Sequence, residues 1–260
     1  MKAILLLCLF CALAFGQTAA PAAPTTPATD DALKLRTELE RGRKVLQDWP
    51  NLERYRSHNE ALGPPASGEQ RVVFLGDSIT DGWGRKNNDF FPGKPYVNRG
   101  ISGQTTPQML IRFRPDVIDL KPVLVVILAG TNDLAGNTGP VTIQTIEGNL
   151  QSMAELATAN NIKVVMSSVM PVCDYHRMQT DRRPPAKIIA LNEWIKNYAA
   201  KKGHVYLDYY TPMLDEAGML RKEITNDGLH PNEAGYALMA PLVQKAIDQV
   251  LSRPGESRIP

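Results

Sequence analysis

Residues 72–82 read VVFLGDSITDG, and this stretch decides the fold class. A short apolar run, rich in β-branched and aromatic residues, is followed at once by a glycine and a series of polar residues. A dense apolar run with little alternation is typical of a strand that is buried on both faces, as in a parallel sheet. Gly76 permits a tight turn after this strand, and the pattern then places Ser78 at the start of a helix.

Further apolar runs of the same character occur along the chain, with helical patterns between them. The runs are 123–129, 164–166 and 205–207, with a weaker one at 96–98. Apolar residues recur at helical spacing in 143–157, 188–198 and 232–251. Strands that alternate with helices predict an α/β fold. We therefore expect one domain over residues 71–252, a three-layer α/β/α sandwich with a parallel sheet of about five strands.

The region before this domain has three predicted parts. Residues 1–16 begin with Met1-Lys2 and continue as an uncharged apolar run, which is shorter than the ~20 residues that span a bilayer. This pattern is typical of a signal peptide cleaved after residue 16, or as late as residue 20, and an uncleaved anchor is the alternative. Residues 17–30 are an Ala/Pro/Thr-rich linker, and residues 31–70 form a helical extension. We therefore expect a secreted or periplasmic protein with no integral membrane segment once the signal is removed.

The composition excludes several classes of function. The chain has 29 Lys and Arg against 27 Asp and Glu, so its net charge is only +2. A nucleic-acid partner usually requires a clustered basic face, and none is expected here. The 4 histidines are scattered, and Cys173 is the single cysteine after residue 16. We therefore expect no metal site, no cofactor and no internal disulfide.

Polar residues follow the first three strands and precede the last helix. In a parallel sheet, ligands bind beyond the carboxyl ends of the strands, so these residues should share one edge. Ser78 is the candidate nucleophile, although a serine in such a turn also serves as a helix cap. Among the histidines only His230 has a carboxylate, Asp227, three residues earlier. Asp227 could fix the tautomer of His230, although an Asx-turn with an exposed histidine explains the spacing equally well.

Gly103 and Asn132 are candidates for stabilising a negative oxygen. The backbone N–H groups of Gly103 and Ser78, together with the side-chain amide of Asn132, could form an oxyanion hole. Taken singly, each of these residues is also an ordinary turn residue.

Four segments together resemble the SGNH hydrolases, also called GDSL-type esterases and lipases. The segments are 76–79, 98–103, 130–133 and 227–231, with isoleucine at position 79 where the family usually has leucine. The resemblance implies a flavodoxin-like sandwich, Ser78 as nucleophile with Asp227 and His230, and no cofactor. It also implies Gly103 and Asn132 as oxyanion donors, with Gly100 as the alternative to Gly103.

Two loops should border the pocket and bear on the substrate. Residues 81–95 carry Trp83, and residues 174–184 carry His176 and three arginines. Asp77, Trp83 and His176 are candidate substrate-binding residues, although solvated arginines and core aromatics are the ordinary alternative. Neither loop has an apolar stretch that could form a lid, which favours a short acyl group, acetyl to butyryl, on a small-molecule or carbohydrate carrier. The alternatives are a lysophospholipase or thioesterase on the same site, and a non-catalytic carbohydrate-binding domain of the same fold.

Overall fold

The computed structural model describes residues 30–85 and 90–252, so the predicted signal peptide and all but the end of the predicted linker lie outside the described residues. The chain divides into two compact units, one ending at Arg43 and the other beginning at Lys44. Helix α1, Asp30–Gln47, begins in the first unit, and all later elements belong to the second. Within the described ranges, no helix combines the length and the apolar character that a membrane span requires.

The second unit is built on a five-stranded sheet. Its strands are β1 Val72–Gly76, β2 Tyr96–Gly100, β3 Leu124–Leu128, β4 Lys163–Ser167 and β5 Val205–Leu207. Their order is β2-β1-β3-β4-β5, and every neighbouring pair is parallel. This is the flavodoxin-like doubly wound order, so the predicted fold class is confirmed.

Helices connect the strands and cover both faces of the sheet. They are α2 Arg56–Leu62, α3 Ser78–Gly82, α4 Thr106–Ile111, α5 Phe113–Asp116, α6 Thr131–Leu134, α7 Ile143–Ala159, α8 Pro185–Lys202 and α9 Glu233–Leu251. The helices predicted over 143–157, 188–198 and 232–251 are therefore confirmed as α7, α8 and α9.

The alternation of side chains along β1 divides the core into two layers. Val73 and Leu75 pack with apolar residues of α4, α5, α7 and α8 on one face of the sheet. Val72 and Phe74 pack with residues of α3 and α9 on the other face. Burial of a valine or leucine side chain stabilises the folded state by roughly 1.5–3 kcal/mol. The side chains of β1 gain this stabilisation only because helices cover both faces of the sheet. The dense apolar pattern of this strand follows from that double burial.

N-cap side chains stabilise the first turns of α3 and α9. Asp77 precedes α3, and its Oδ1 accepts a hydrogen bond from the Ile79 N–H at 2.9 Å. Asn232 precedes α9 in the same way, with Oδ1 accepting from the Gly235 N–H at 3.1 Å. Each side chain satisfies a backbone donor that the first helical turn leaves unpaired. Because β1, β2 and β3 are parallel, the turns that follow them open on the same edge of the sheet.

Candidate active site

Ser78, His230 and Asp227 lie in one hydrogen-bonded series. The Oγ of Ser78 is 2.9 Å from Nε2 of His230, and Nδ1 of the same ring is 2.6 Å from Oδ2 of Asp227. Ser78 is the first residue of α3, whereas the other two residues lie 149 and 152 positions further along the chain, just before α9. The sheet edge therefore brings together the three residues that the sequence singled out.

The side-chain carboxylate of Asp227 stabilises the turn in which this residue lies. Oδ1 of Asp227 accepts hydrogen bonds from the N–H groups of Leu229 and His230, at 3.0 and 2.8 Å. Gly228 has a φ of +84°, and a Cβ at this position would lie 2.1 Å from the Cys173 carbonyl oxygen. Burial raises the pKa of Asp227, but the hydrogen bonds from His230 and the backbone outweigh it and hold the pKa below its ordinary value. Asp227 is therefore a charged acceptor that faces the imidazole.

Asn132 lies shortly after β3, at the edge of the sheet where β1 also ends, and it is buried at the start of α6 with 3 % of its surface exposed. Its Nδ2 donates to the carbonyl oxygen of Gln104 at 3.0 Å. An amide nitrogen has two hydrogens, so one N–H remains for a ligand. The N–H of Ser78 is also available, because the first residue of a helix has no acceptor within the helix.

The two candidate glycines, Gly100 and Gly103, have different environments in the structure. The N–H of Gly100 donates to Oδ1 of Asn98 at 2.9 Å, and its carbonyl accepts from the Tyr55 hydroxyl. A Cβ at Gly100 would lie 2.1 Å from the Asp81 nitrogen, so this glycine serves close packing between β2 and α3. Gly103 has a φ of +81° and open space beside it. Gly103, not Gly100, therefore lies at the surface where a ligand could reach its N–H.

Two clefts meet at Ser102. The main cleft, about 530 Å³, contains Ser78 and His230 and is lined further by Gly82, Trp83, Gly84, Arg85, Ser102, Asn226, Pro231, Asn232, Glu233, Tyr236, Ala237 and Ala240. The side cleft, about 590 Å³, is lined by Asp48, Trp49, Asn51, Ile101, Ser102, Gly103, Gln104, Gln108, Asn137 and Thr138. The main cleft combines aromatic, small apolar and polar surface around the serine, whereas mostly polar side chains surround Trp49 in the side cleft.

The three predicted substrate-binding residues have different positions. Trp83 lines the main cleft, although it is largely buried and packs on Tyr236 with ring centroids 5.3 Å apart. Asp77 is buried beneath the serine, where its role is to cap α3, and it does not line either cleft. His176 is exposed, with Nε2 3.3 Å from the Lys222 carbonyl, and it lines neither cleft. Only Trp83 is therefore placed where a substrate could contact it.

Sequence reasoning missed the support that the extension gives to the site. Residues 48–62 pack on the domain, with the Tyr55 hydroxyl donating to Gly100 and the Gln104 side-chain amide donating to the Pro50 carbonyl at 2.7 Å. The segment thereby holds the loop that carries Gly103 and supplies Trp49 to the side cleft. Amphipathic periodicity indicates a helix but not the surface it covers, so no signal in the sequence could have assigned this contact.

Sequence reasoning also missed Arg183 and Gln179. The 174–184 loop reads as polar, and exposure is the ordinary state of its arginines. Arg183 departs from that expectation because it is only 4 % exposed and points into the protein beside Asn132. Gln179 is also buried, and it donates to the Asp227 carbonyl at 3.0 Å.

Comparison with known proteins identifies the family to which this chain belongs. The model of the GDSL-like Lipase/Acylhydrolase family matches residues 74–238, a range that contains Ser78, Asn132, Asp227 and His230. The chain belongs to this family. A GDSL-like lipase of known structure from Bacteroides thetaiotaomicron is 46 % identical, with a TM-score of 0.72 over 77 % of this chain and 98 % of that chain.

Two curated relatives of this GDSL-family chain are more distant. The esterase TesA of Pseudomonas aeruginosa is 28 % identical over 174 residues, which are 62 % of this chain and 80 % of that protein. The uncharacterized lipoprotein YqeF of Bacillus subtilis is 31 % identical over 129 residues, 43 % of this chain and 53 % of that protein. The match to YqeF therefore spans about half of that protein's length. The family match begins after residues 48–62, so the support from the extension lies outside the matched region.

Proposed function

We propose that this GDSL-family protein is a serine ester hydrolase that cleaves short-chain O-acyl esters through an acyl-enzyme on Ser78. The proposal rests on the continuous series from Ser78 through His230 to Asp227, with contacts of 2.9 and 2.6 Å. A hydroxyl that faces an imidazole, itself held by a carboxylate, is the arrangement that activates a serine nucleophile. The family and the name of the relative TesA, an esterase, support the same class of reaction.

In the first half of the reaction Ser78 Oγ attacks the ester carbonyl carbon. Nε2 of His230 takes the hydroxyl proton, and Asp227 stabilises the imidazolium that forms. The carbonyl oxygen becomes an oxyanion, for which the Ser78 N–H, the Gly103 N–H and the free N–H of Asn132 are the donors. Collapse of this intermediate breaks the ester bond, and the alcohol leaves with the proton from His230.

In the second half water takes the place of the alcohol. His230 accepts a proton from the water as it attacks the acyl carbon, and the oxyanion forms again at the same donors. The acid then leaves, and the proton returns from His230 to Ser78.

The two clefts support a small acyl group on a polar carrier. The main cleft has an aromatic wall, in which Trp83 and Tyr236 pack against each other. The side cleft is lined by amide and hydroxyl side chains, such as Asn51, Asn137 and Thr138, around Trp49. An aromatic ring among hydrogen-bonding groups suits a hydroxyl-rich carrier such as a sugar. We therefore assign acetyl to butyryl esters, with a carbohydrate-borne ester as the class of natural substrate.

Hydrolysis of p-nitrophenyl acetate tests the proposal. The S78A variant should fold normally and lose activity by about a thousandfold or more, because it lacks the attacking oxygen. S152A, which removes a hydroxyl from α7 that donates to the Gly148 carbonyl, should keep the wild-type rate. A fluorophosphonate should label Ser78 and leave Ser102 unlabelled. Near-wild-type turnover by S78A would reject the Ser78 mechanism, whereas an inactive wild-type protein would favour a non-catalytic binding domain.

The acyl preference requires a separate comparison. Rates on p-nitrophenyl acetate and palmitate should favour acetate, and an oil–water interface should not raise activity. A240L adds bulk to a residue that lines the main cleft, so it should lower the rate on butyrate more than on acetate. A234L, on an exposed residue of the same helix, is the matched control. A faster palmitate reaction would overturn the short-acyl assignment while leaving the Ser78 mechanism intact.

Export is the remaining element of the proposal, and it rests on the pattern of residues 1–16. Expression of the full chain should yield a product that begins near residue 17 and lies outside the cytoplasm. Recovery of full-length protein in the membrane fraction would favour an anchor.

A further inference from the structure

Arg183 is a buried cation next to the candidate oxyanion hole. It is 4 % exposed, and its side chain reaches from the 174–184 loop towards the start of α6. Nε donates to Oγ1 of Thr131 at 3.0 Å, Nη1 to Oε1 of Gln179 at 2.9 Å and Nη2 to Oδ1 of Asn132 at 3.4 Å. All three acceptors are uncharged. A buried charge costs free energy unless an opposite charge pairs with it, so a guanidinium that bonds only to uncharged acceptors calls for an explanation.

The contact with Asn132 determines how that amide is oriented. A guanidinium has five hydrogen-bond donors and no acceptor, so only the oxygen of the Asn132 amide can face it. The opposite atom, Nδ2, then faces the Gln104 carbonyl oxygen, to which it donates at 3.0 Å. Half a turn of the amide would place its nitrogen against the guanidinium and its oxygen against the Gln104 carbonyl oxygen, so both contacts oppose the flipped orientation. Arg183 therefore acts together with the Gln104 carbonyl to select the orientation in which Asn132 can donate.

The charge of Arg183 also acts on the chemistry of the amide. A cation at the amide oxygen draws electron density away from the nitrogen and strengthens its N–H as a donor. Asp77 and Asp227 are the acidic groups that act on the guanidinium through space, and neither is one of its three hydrogen-bond acceptors. The positive potential is therefore available at Asn132.

Gln179 extends the same network to the other side of the site. Its Oε1 accepts from Arg183 and its Nε2 donates to the Asp227 carbonyl oxygen at 3.0 Å. The backbone N–H of Arg183 donates to the Gln179 carbonyl at 2.9 Å, which closes the turn that aims the guanidinium inward. The 174–184 loop thus contacts both the amide of Asn132 and the turn that carries Asp227, and it fixes the position of each.

We propose that Arg183 is a positioning residue that orients and polarises the Asn132 amide for oxyanion stabilisation during ester cleavage. The inference rests on the proposed serine hydrolase function and adds a residue that lies outside the four motif segments. Arg183 does not touch the substrate, so its effect must pass through Asn132. An interaction made only in the transition state lowers kcat and leaves KM unchanged when it is lost.

A double-mutant cycle tests this dependence on p-nitrophenyl acetate. R183M should lower kcat by about tenfold with KM within about twofold, since it weakens one oxyanion donor without removing it. In the N132A background the same change should cost less than about threefold, because the group through which Arg183 acts is already absent. R183K, which keeps the charge but not the planar fork, should fall between wild type and R183M. R177M, an exposed arginine of the same loop, should match wild type.

Each outcome decides between positioning and a structural role. Equal losses in the wild-type and N132A backgrounds, an unchanged kcat in R183M, or a rise in KM alone would overturn the inference. If circular dichroism shows that R183M is unfolded at the assay temperature, the same cycle with R183K decides, with non-additivity expected. Failure of wild-type protein to cleave any ester would instead refute the proposed function.

Discussion

Replacing Asp77 by asparagine should stabilise the protein at neutral and alkaline pH. The carboxyl is 1 % exposed, and one of its oxygens, Oδ2, has no hydrogen-bond partner among the described residues. Burial raises its pKa from 3.8 to about 6, against the opposing effect of the hydrogen bond from the Ile79 N–H. The folded state therefore keeps the proton in a pH range where the unfolded chain has released it, and the wild-type protein loses stability as pH rises from about 4 to above 6.

The magnitude follows from the same values. One pKa unit corresponds to about 1.4 kcal/mol, so a rise from 3.8 to about 6 corresponds to about 3 kcal/mol at pH 8. Asparagine can still accept from the Ile79 N–H but carries no charge, so D77N should be free of this penalty. Any pH-independent cost of the amide cancels when the difference between variant and wild type is compared at two pH values.

Urea denaturation followed by tryptophan fluorescence measures the effect. The free energy of unfolding of D77N, relative to wild type, should rise by about 2–3 kcal/mol between about pH 4 and pH 8. D181N, which removes an exposed carboxylate, controls for the change in net charge. A difference between D77N and wild type that stays constant over this pH range would refute the reasoning.

Two further predictions concern the oxyanion loop and the base. G100A should destabilise the fold by about 3 kcal/mol, because its Cβ would meet the backbone of α3, whereas G103A should cost about 1 kcal/mol of backbone strain and lower kcat. Urea denaturation checks the order, and a larger stability loss in G103A would contradict the assignment of the two glycines. Activity on p-nitrophenyl acetate should fall in acid, as expected for a histidine general base, while Asp227, with its pKa below the ordinary value, stays ionised. A rate unchanged down to about pH 4 would contradict a histidine base.

The positions of the strands and of the motif residues could be predicted from the sequence. A strand such as β1, buried on both faces, needs apolar residues at nearly every position, so the pattern in residues 72–75 is visible without any tertiary information. The chain order of strands and helices then limits the topology, because parallel strands require crossover connections. That order also predicts that Ser78, Asn132 and His230 share one edge of the sheet. In the structure His230 contacts Ser78 just after β1, and Asn132 follows the neighbouring parallel strand β3.

The residues that support the site could not be assigned in this way. Arg183 and Arg182 are adjacent and identical in sequence, yet one is buried beside Asn132 and the other is exposed. Gly100 and Gly103 differ in backbone conformation and in what packs against them, and a local pattern does not record either property. The contact of Tyr55 with Gly100 joins residues 45 positions apart and has no periodic signal.

The sequence by itself therefore determined the architecture and the candidate reactive residues, because backbone periodicity and residue chemistry are local properties. Only the tertiary structure showed that Arg183 is buried beside Asn132, that Gly103 is exposed and that the carboxyl of Asp77 is buried. Burial and charge at a point depend on all the elements that meet there, as at Asp77, where desolvation sets the pKa. No single stretch of the chain carries that information.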